Sequence, residues 1–149
     1  MNYTSLKSAK LTLAITYVFC LLLVIMMVLA YPVLSWFFGG RQEAVKLIFT
    51  VMISFYICCI PAWTALVSII RLMRNIMSEK IFTHQNVFLI RLLSWCCAFV
   101  SLVCFSAGFL YVPMWIFALA AAFMMLILRV LKNVMARATE IKDENELTI

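Results

Sequence analysis

Residues 11–38 read LTLAITYVFCLLLVIMMVLAYPVLSWFF and contain no charged side chain. An α-helix rises about 1.5 Å per residue, so about 20 such residues cross the roughly 30 Å hydrocarbon core of a bilayer. Val28 to Ala30 resembles a signal cleavage site, but the run is longer than the apolar core of a secretion signal, about 7 to 15 residues. We therefore expect this stretch to form a retained first membrane helix.

Three further apolar runs follow, near residues 47–70, 92–110 and 112–128. Hydrophobic residues make up 67% of the 149 residues and charged residues 12%, whereas about a quarter of a typical soluble domain is charged. A soluble fold of this size exposes too large a share of its surface to hide so much apolar area. In lipid each segment must satisfy its own backbone hydrogen bonds, which favours helices.

The predicted fold class is therefore an all-α integral membrane protein that forms a single four-helix transmembrane domain over residues 1–149. We place a cytoplasmic loop between the second and third helices, a tight hairpin between the third and fourth, and a helical cytoplasmic extension after the fourth. The predicted spans are about 11–36, 47–70, 92–110 and 112–131, and the tail is 132–149.

The basic residues predict the orientation of the helices. All of the 12 lysines and arginines except Arg41 and Lys46 lie before the first span, between the second and third, or after the fourth. The positive-inside rule then places both termini and the 71–91 loop in the cytoplasm. The net charge of +6 is explained by anionic lipid headgroups, which contribute about 1 kcal/mol per basic residue. We therefore expect membrane lipids as partners and no direct binding of nucleic acid.

Two local signals predict where helices begin and end. The residue before a proline is biased away from the helical region, so Pro32 is expected to mark the outer edge of the first helix. At the start of the third helix, the side chain of Thr83 or of Asn86 is expected to accept a backbone N–H bond as the N-cap.

Pro61 lies within the second span and removes one backbone donor, which leaves the Ile57 carbonyl without its helical partner. A kink is expected there, with Thr64 and Ser68 as nearby hydroxyl groups that could compensate. A mobile hinge at Pro61 is the alternative interpretation.

The residues that usually carry chemistry are sparse. All six acidic residues lie outside the spans, whereas proton-coupled transport normally uses a carboxylate within the membrane. The six cysteines lie in the apolar runs and are interpreted as small buried hydrophobic residues. His84 is the single histidine. We predict no catalytic residue, no metal site and no cofactor.

At the 71–95 segment and the C-terminus, the chain resembles a family of small four-helix bacterial membrane proteins known only as a domain of unknown function. The matching residues are Phe82, Asn86, Arg91 and Trp95, together with the ending Glu144 to Ile149. Proteins of that family are often encoded beside a short helix-turn-helix transcription regulator. The resemblance implies a bacterial origin and a regulatory partner in the cytoplasm, and it brings no established activity.

The leading functional hypothesis is a non-enzymatic regulatory or sensing protein of the bacterial cytoplasmic membrane. It would engage a cytoplasmic protein partner through the 71–91 loop and the C-terminal tail, while a signal reaching the helices alters their packing. The hypothesis assigns partner binding to Phe82, Asn86, Arg91, Glu144, Leu147 and Ile149, and a helix hinge to Pro61.

Two other classes of function stay open. One is an immunity or export factor directed at a membrane-active peptide. The other is a small membrane enzyme for lipophilic substrates, in which Arg71, Arg74 and Arg91 would hold an anionic cofactor. Assembly into a homo-oligomer is also left open by the sequence.

Overall fold

The computed structural model describes residues 3–39, 44–78 and 81–147. The described chain folds into four α-helices, and each is long and apolar enough to cross a membrane, so the prediction of an all-helical fold with four candidate spans is confirmed. The helices are α1 (Tyr3–Phe38), α2 (Ala44–Met77), α3 (His84–Gly108) and α4 (Met114–Leu147).

The helices pack in chain order. Within the described ranges, the helix pairs in contact are α1–α2, α2–α3 and α3–α4, and the last of these is the most extensive. In the most apolar stretch of each helix, 39% of the residues are buried for α3, but only 6% for α1 and 6% for α4. α3 is therefore the central helix, while α1 and α4 expose most of their apolar surface, which only lipid or another protein can cover favourably.

Two hydrogen bonds connect α1 to α2. The Tyr56 hydroxyl donates to the carbonyl of Met27 at 2.9 Å, and the Arg74 guanidinium donates to the Tyr17 hydroxyl at 3.1 Å. Because the higher number on α2 pairs with the lower number on α1, the two helices run antiparallel. Each such bond in a membrane protein contributes only about 0.6 kcal/mol on average, so the bonds mainly fix the register of the two helices.

The prediction that α1 ends at Pro32 is wrong, because α1 continues through Pro32 to Phe38. A proline inside a helix removes one backbone bond, here the one to the Val28 carbonyl. Ending the helix within lipid would instead leave several backbone groups without partners. The Ser35 hydroxyl donates to the Pro32 carbonyl at 2.9 Å within this last part of α1.

α2 likewise continues through Pro61, which is buried. The hydroxyl of Thr64 donates to the Ile60 carbonyl at 3.0 Å, and that of Ser68 donates to the Thr64 carbonyl at 2.7 Å. The prediction that these hydroxyls compensate the Ile57 carbonyl is therefore wrong. A helical serine or threonine bonds the carbonyl four residues earlier, and Ile57 lies too far along the helix from either side chain. The hinge at Pro61 stays a prediction.

The connection between α3 and α4 is built around Gly108. The N–H groups of Leu110 and Tyr111 both donate to the Ala107 carbonyl, at 3.0 and 2.9 Å, which turns the chain directly after α3. The indole of Trp115 then lies over Gly108, where a Cβ atom on that residue would overlap the ring.

Two aromatic rings, one on α3 and one directly after it, hold the Trp115 indole in this position. It stacks on Phe105 with ring centroids 6.3 Å apart, and it meets Phe109 edge to face at 5.8 Å. Arranged aromatic pairs contribute about 0.5–1.5 kcal/mol each beyond the area they bury. The hairpin is thus closed by one indole packed against a glycine.

The substitution Gly108→Ala is expected to destabilise the α3–α4 hairpin by about 1–3 kcal/mol, because the added methyl group must displace the packed indole. Unfolding of the purified protein in detergent micelles, followed by circular dichroism against increasing denaturant, measures the change.

The matched control is the double variant Gly108→Ala with Trp115→Ala. Once the indole is gone, the added methyl group has room, so the double variant should be no less stable than Trp115→Ala alone. Additive losses in the double variant would contradict the proposed packing.

Candidate functional site

One end of the molecule gathers polar side chains from three helices. We call it the loop end: the end of α2 from Arg74, the connection through residues 81–83, the first turns of α3 to Arg91, and α4 from Thr139 to Asn145. At the boundary of α2, the Ser78 N–H and hydroxyl both donate to the Arg74 carbonyl, at 3.1 and 2.7 Å. These bonds satisfy a carbonyl that the end of the helix leaves unpaired.

Thr83 is the N-cap of α3. Its backbone is extended, with φ −138° and ψ 144°, and its hydroxyl accepts the N–H of Asn86 at 3.4 Å. Of the two candidates from the sequence, the structure therefore selects Thr83. An N-cap of this type contributes about 0.5–2 kcal/mol relative to alanine, which fixes the position where α3 starts.

Asn86 has a different role, because its side chain is 0% exposed. Its amide nitrogen donates to the Ile81 carbonyl at 2.7 Å, and its amide oxygen accepts from the Asn75 side chain at 2.8 Å. One buried side chain thus joins the end of α2, the connection and the start of α3. The sequence assigned Asn86 to partner contact, and in the structure it lies beneath the surface that a partner could touch.

α4 reaches the start of α3 beyond its apolar stretch. His84 Nε2 lies 3.3 Å from Asp143 Oδ2, a contact that is an ion pair when His84 is protonated. Thr139, one helical turn earlier, is 1% exposed, and its hydroxyl donates to the Met135 carbonyl at 2.9 Å. The loop and the C-terminal part of α4 are therefore in contact.

The His84–Asp143 contact is exposed, with 82% and 49% of the two side chains accessible. Exposed ion pairs contribute about 0–1 kcal/mol, so this one indicates where α4 lies more than it stabilises the fold. The sequence did not single out Asp143. No local pattern in the sequence would have pointed to it, because the contact depends on how α4 lies against α3.

The other predicted partner residues are spread over this end. Phe82 is 41% exposed, and Glu144 is exposed near the end of α4. Leu147 is the last residue of α4, while Ile149 lies outside the described residues. Arg91 is exposed two turns into α3 and lines a separate cavity between α3 and α4.

Arg71, Arg74 and Arg91 line different cavities or make different contacts. Arg74 donates to Tyr17 between α1 and α2. Arg71 lines a cavity of about 350 Å³ between α2 and α3, and Arg91 lines one of about 300 Å³ between α3 and α4. The anionic cofactor that these arginines would hold in the enzyme alternative stays a prediction.

The thiols are distributed along the helices without forming a cluster for a metal. Those of Cys58 and Cys104 hydrogen-bond across the α2–α3 contact. In residues 3–39, 44–78 and 81–147, no three histidine, cysteine or acidic side chains lie close enough to hold a metal ion.

Comparison with known proteins identifies the family. Residues 11–149 match the sequence model of one protein family, which is described as a protein of unknown function (DUF2975). No curated protein and no solved structure matches the chain. With its four apolar helices the chain is a multi-pass membrane protein, and the family model covers nearly all of it. The resemblance noted in the sequence is thereby confirmed, and the chain belongs to the DUF2975 family of proteins of unknown function.

Proposed function

We propose that this protein is a non-enzymatic regulatory or sensing module of the bacterial cytoplasmic membrane. Its loop end engages a cytoplasmic protein partner, a helix-turn-helix transcription regulator. The observation that carries the proposal is the 3.3 Å contact between His84 and Asp143. It joins the two segments that the sequence assigned to partner binding, the loop and the C-terminal tail, into one continuous surface.

The chemistry of this surface suits a basic partner with an apolar anchor. The last turns of α4 expose Glu140, Asp143 and Glu144 together with one cation, Lys142. Phe82 lies two residues before His84 and is 41% exposed. DNA-binding proteins carry basic surfaces that neutralise phosphates. An acidic helix end would therefore compete with DNA for such a surface, and the exposed aromatic ring would anchor the regulator at the membrane.

The partly buried Asn75–Asn86 hydrogen bond offers a path for a signal from the membrane. Asn75 lies on the last turn of α2, on the same helix as Pro61, and Asn86 holds the Ile81 carbonyl of the loop. A change in the angle of α2 at Pro61 would move Asn75 and so displace the loop. Phe82, the residue after Ile81, would move with it.

The proposed orientation places both termini in the cytoplasm, as the distribution of basic residues favours. Green fluorescent protein fused to either terminus should fluoresce, and alkaline phosphatase inserted after Gly39 should be active outside the cytoplasm. Alkaline phosphatase fused to the C-terminus serves as the control and should be inactive. A C-terminal phosphatase fusion that is active would contradict the orientation.

Removal of residues 140–149 is expected to release the proposed helix-turn-helix regulator from the membrane. The change deletes the acidic surface and Asp143, so the amount of regulator in the membrane fraction of co-expressing cells should fall at least tenfold. Phe82→Ala should lower it by about fivefold, a loss of about 1 kcal/mol of anchoring. Quantitative immunoblotting of membrane and soluble fractions measures both.

The matched control is Trp36→Ala. It removes an aromatic side chain that is 86% exposed near the C-terminal end of α1. It should leave the regulator on the membrane. The proposal fails if the deletion leaves the regulator bound, or if Trp36→Ala releases it as strongly as Phe82→Ala.

Asn86→Ala is expected to weaken partner binding although its side chain is buried. The substitution leaves the Ile81 carbonyl and the Asn75 amide without their partner, which costs about 1–3 kcal/mol of folding stability and frees the loop. The exposed neighbour Gln85→Ala is the control, since it should change neither stability nor binding. Equal regulator binding by Asn86→Ala and by the unaltered protein would show that the loop position is irrelevant to the partner.

A further inference from the structure

A cavity between α3 and α4, next to the loop end, collects positive charge. It measures about 300 Å³, and its lining residues are Arg91, Ser94, Trp95, Ala98, Met125, Arg129 and Lys132. Three of these seven side chains are cationic and none is acidic. The cavity therefore carries a net positive charge without an internal counter-ion.

Arg91, Arg129 and Lys132 form no ion pair with a carboxylate among the described residues. The contact between His84 and Asp143 lies elsewhere on α3 and α4. Arg129 and Lys132 are three residues apart on α4, a spacing at which like charges on a helix repel. An anion seated between them and Arg91 would remove this repulsion. The planar guanidinium groups of the two arginines match the geometry of phosphate oxygens, and Lys132 adds a point charge.

Trp95 indicates that the cavity opens toward the membrane interface. Its side chain is 65% exposed at the edge of the cavity. Tryptophan is enriched at the level of the lipid headgroups, where its ring is in apolar surroundings and its N–H in polar ones. Basic pockets between membrane helices are places where anionic headgroups bind.

An apolar cavity continues along the same side of the α3–α4 pair. It measures about 380 Å³ and is lined by Ser101, Leu102, Phe105, Trp115, Ala118, Leu119 and Ala122. Ser101 and Ala122 lie one helical turn beyond Ala98 and Met125, the residues at the inner edge of the cationic cavity. At about 100° per residue, the lining residues of α3 in both cavities fall within an arc of about 120°.

The two cavities together form a groove with a charged end and an apolar length. From Arg91 to Phe105 the helical rise is about 21 Å, and one leaflet of the hydrocarbon core is about 15 Å thick. A phosphate placed at Arg91 therefore leaves room for an acyl chain to follow the groove to the middle of the bilayer. A free phosphate ion would use only the charged end.

We propose that the α3–α4 groove is a binding site for one anionic phospholipid, with its phosphate held by Arg91, Arg129 and Lys132 and an acyl chain lying along the apolar cavity. The site selects a lipid with a net negative charge over a zwitterionic one. It does not depend on the regulatory function proposed above, because every residue that forms it belongs to α3 or α4.

Native mass spectrometry of the purified protein with equal amounts of phosphatidylglycerol and phosphatidylcholine tests the site. One phosphatidylglycerol should remain bound at collision energies that remove phosphatidylcholine. The variant with Arg91, Arg129 and Lys132 all changed to Gln should lose affinity for it by on the order of a hundredfold, since each interfacial cation contributes about fivefold.

The matched control changes Lys10, Arg71 and Arg137 to Gln. It removes the same amount of charge from residues that do not line the cavity, and its affinity should stay within about threefold of that of the unaltered protein. Equal losses in the two variants would overturn the proposal, because they would reduce the effect to net charge.

A second measurement needs no change in the cationic residues. Phosphatidylglycerol brominated near the headgroup end of its acyl chains should quench tryptophan fluorescence more than equally brominated phosphatidylcholine. The excess quenching should disappear in Trp95→Phe. Equal quenching by the two lipids in the unaltered protein would overturn the site even if the triple variant fails to fold.

Inorganic phosphate distinguishes the two sources of the anion. In phosphatidylcholine nanodiscs, calorimetric titration with phosphate alone should show no binding at millimolar concentration. Saturable phosphate binding that the triple variant lacks, without enrichment of phosphatidylglycerol, would assign the cavity to a soluble anion and overturn the lipid site.

Discussion

The absence of water from the hydrocarbon core constrains almost every part of this structure. A backbone group that leaves its helix within lipid has no solvent to pair with, so each helix continues once it has entered the membrane. This is why α1 passes Pro32 and α2 passes Pro61, although each proline removes a bond. It is also why hydroxyl groups within the helices, such as those of Thr16 and Ser54, turn back to carbonyls of their own helix.

The same constraint explains which parts of the fold the sequence could predict. Four apolar runs without charge are sufficient to predict four helices, and the two candidate caps, Thr83 and Asn86, predict the start of α3 to within one turn. The effect of Pro32 was misjudged because the rule for residues before proline describes chains that can pair with water. Within lipid, the cost of leaving backbone groups without partners outweighs the local preference of Tyr31.

The polar contacts of the loop end lay beyond such reasoning for a different reason. Asn86 looks like a surface residue in sequence, since asparagine is usually exposed. Its burial depends on Asn75 and Ile81, which approach it only after α2 and α3 have packed. The contact of His84 with Asp143 likewise needs α4 to lie along α3, and no local pattern reports that distance. Separation along the chain thus limited the prediction more than residue chemistry did.

α3 connects the two proposed surfaces of the molecule. Its first turn carries Asn86, which positions the loop, and Arg91 follows five residues later, about 7.5 Å along the same helix. A headgroup held at Arg91 would therefore share one rigid element with Asn86, which positions the loop that carries Phe82. Any change that lipid binding makes in partner affinity must be matched by an equal change that the partner makes in lipid affinity. The Asn75–Asn86 hydrogen bond is where such coupling would act, because it alone of the polar contacts described here links the side chains of α2 and α3 at the loop end. Under the two proposals together, lipid charge is the membrane property that the loop end would report.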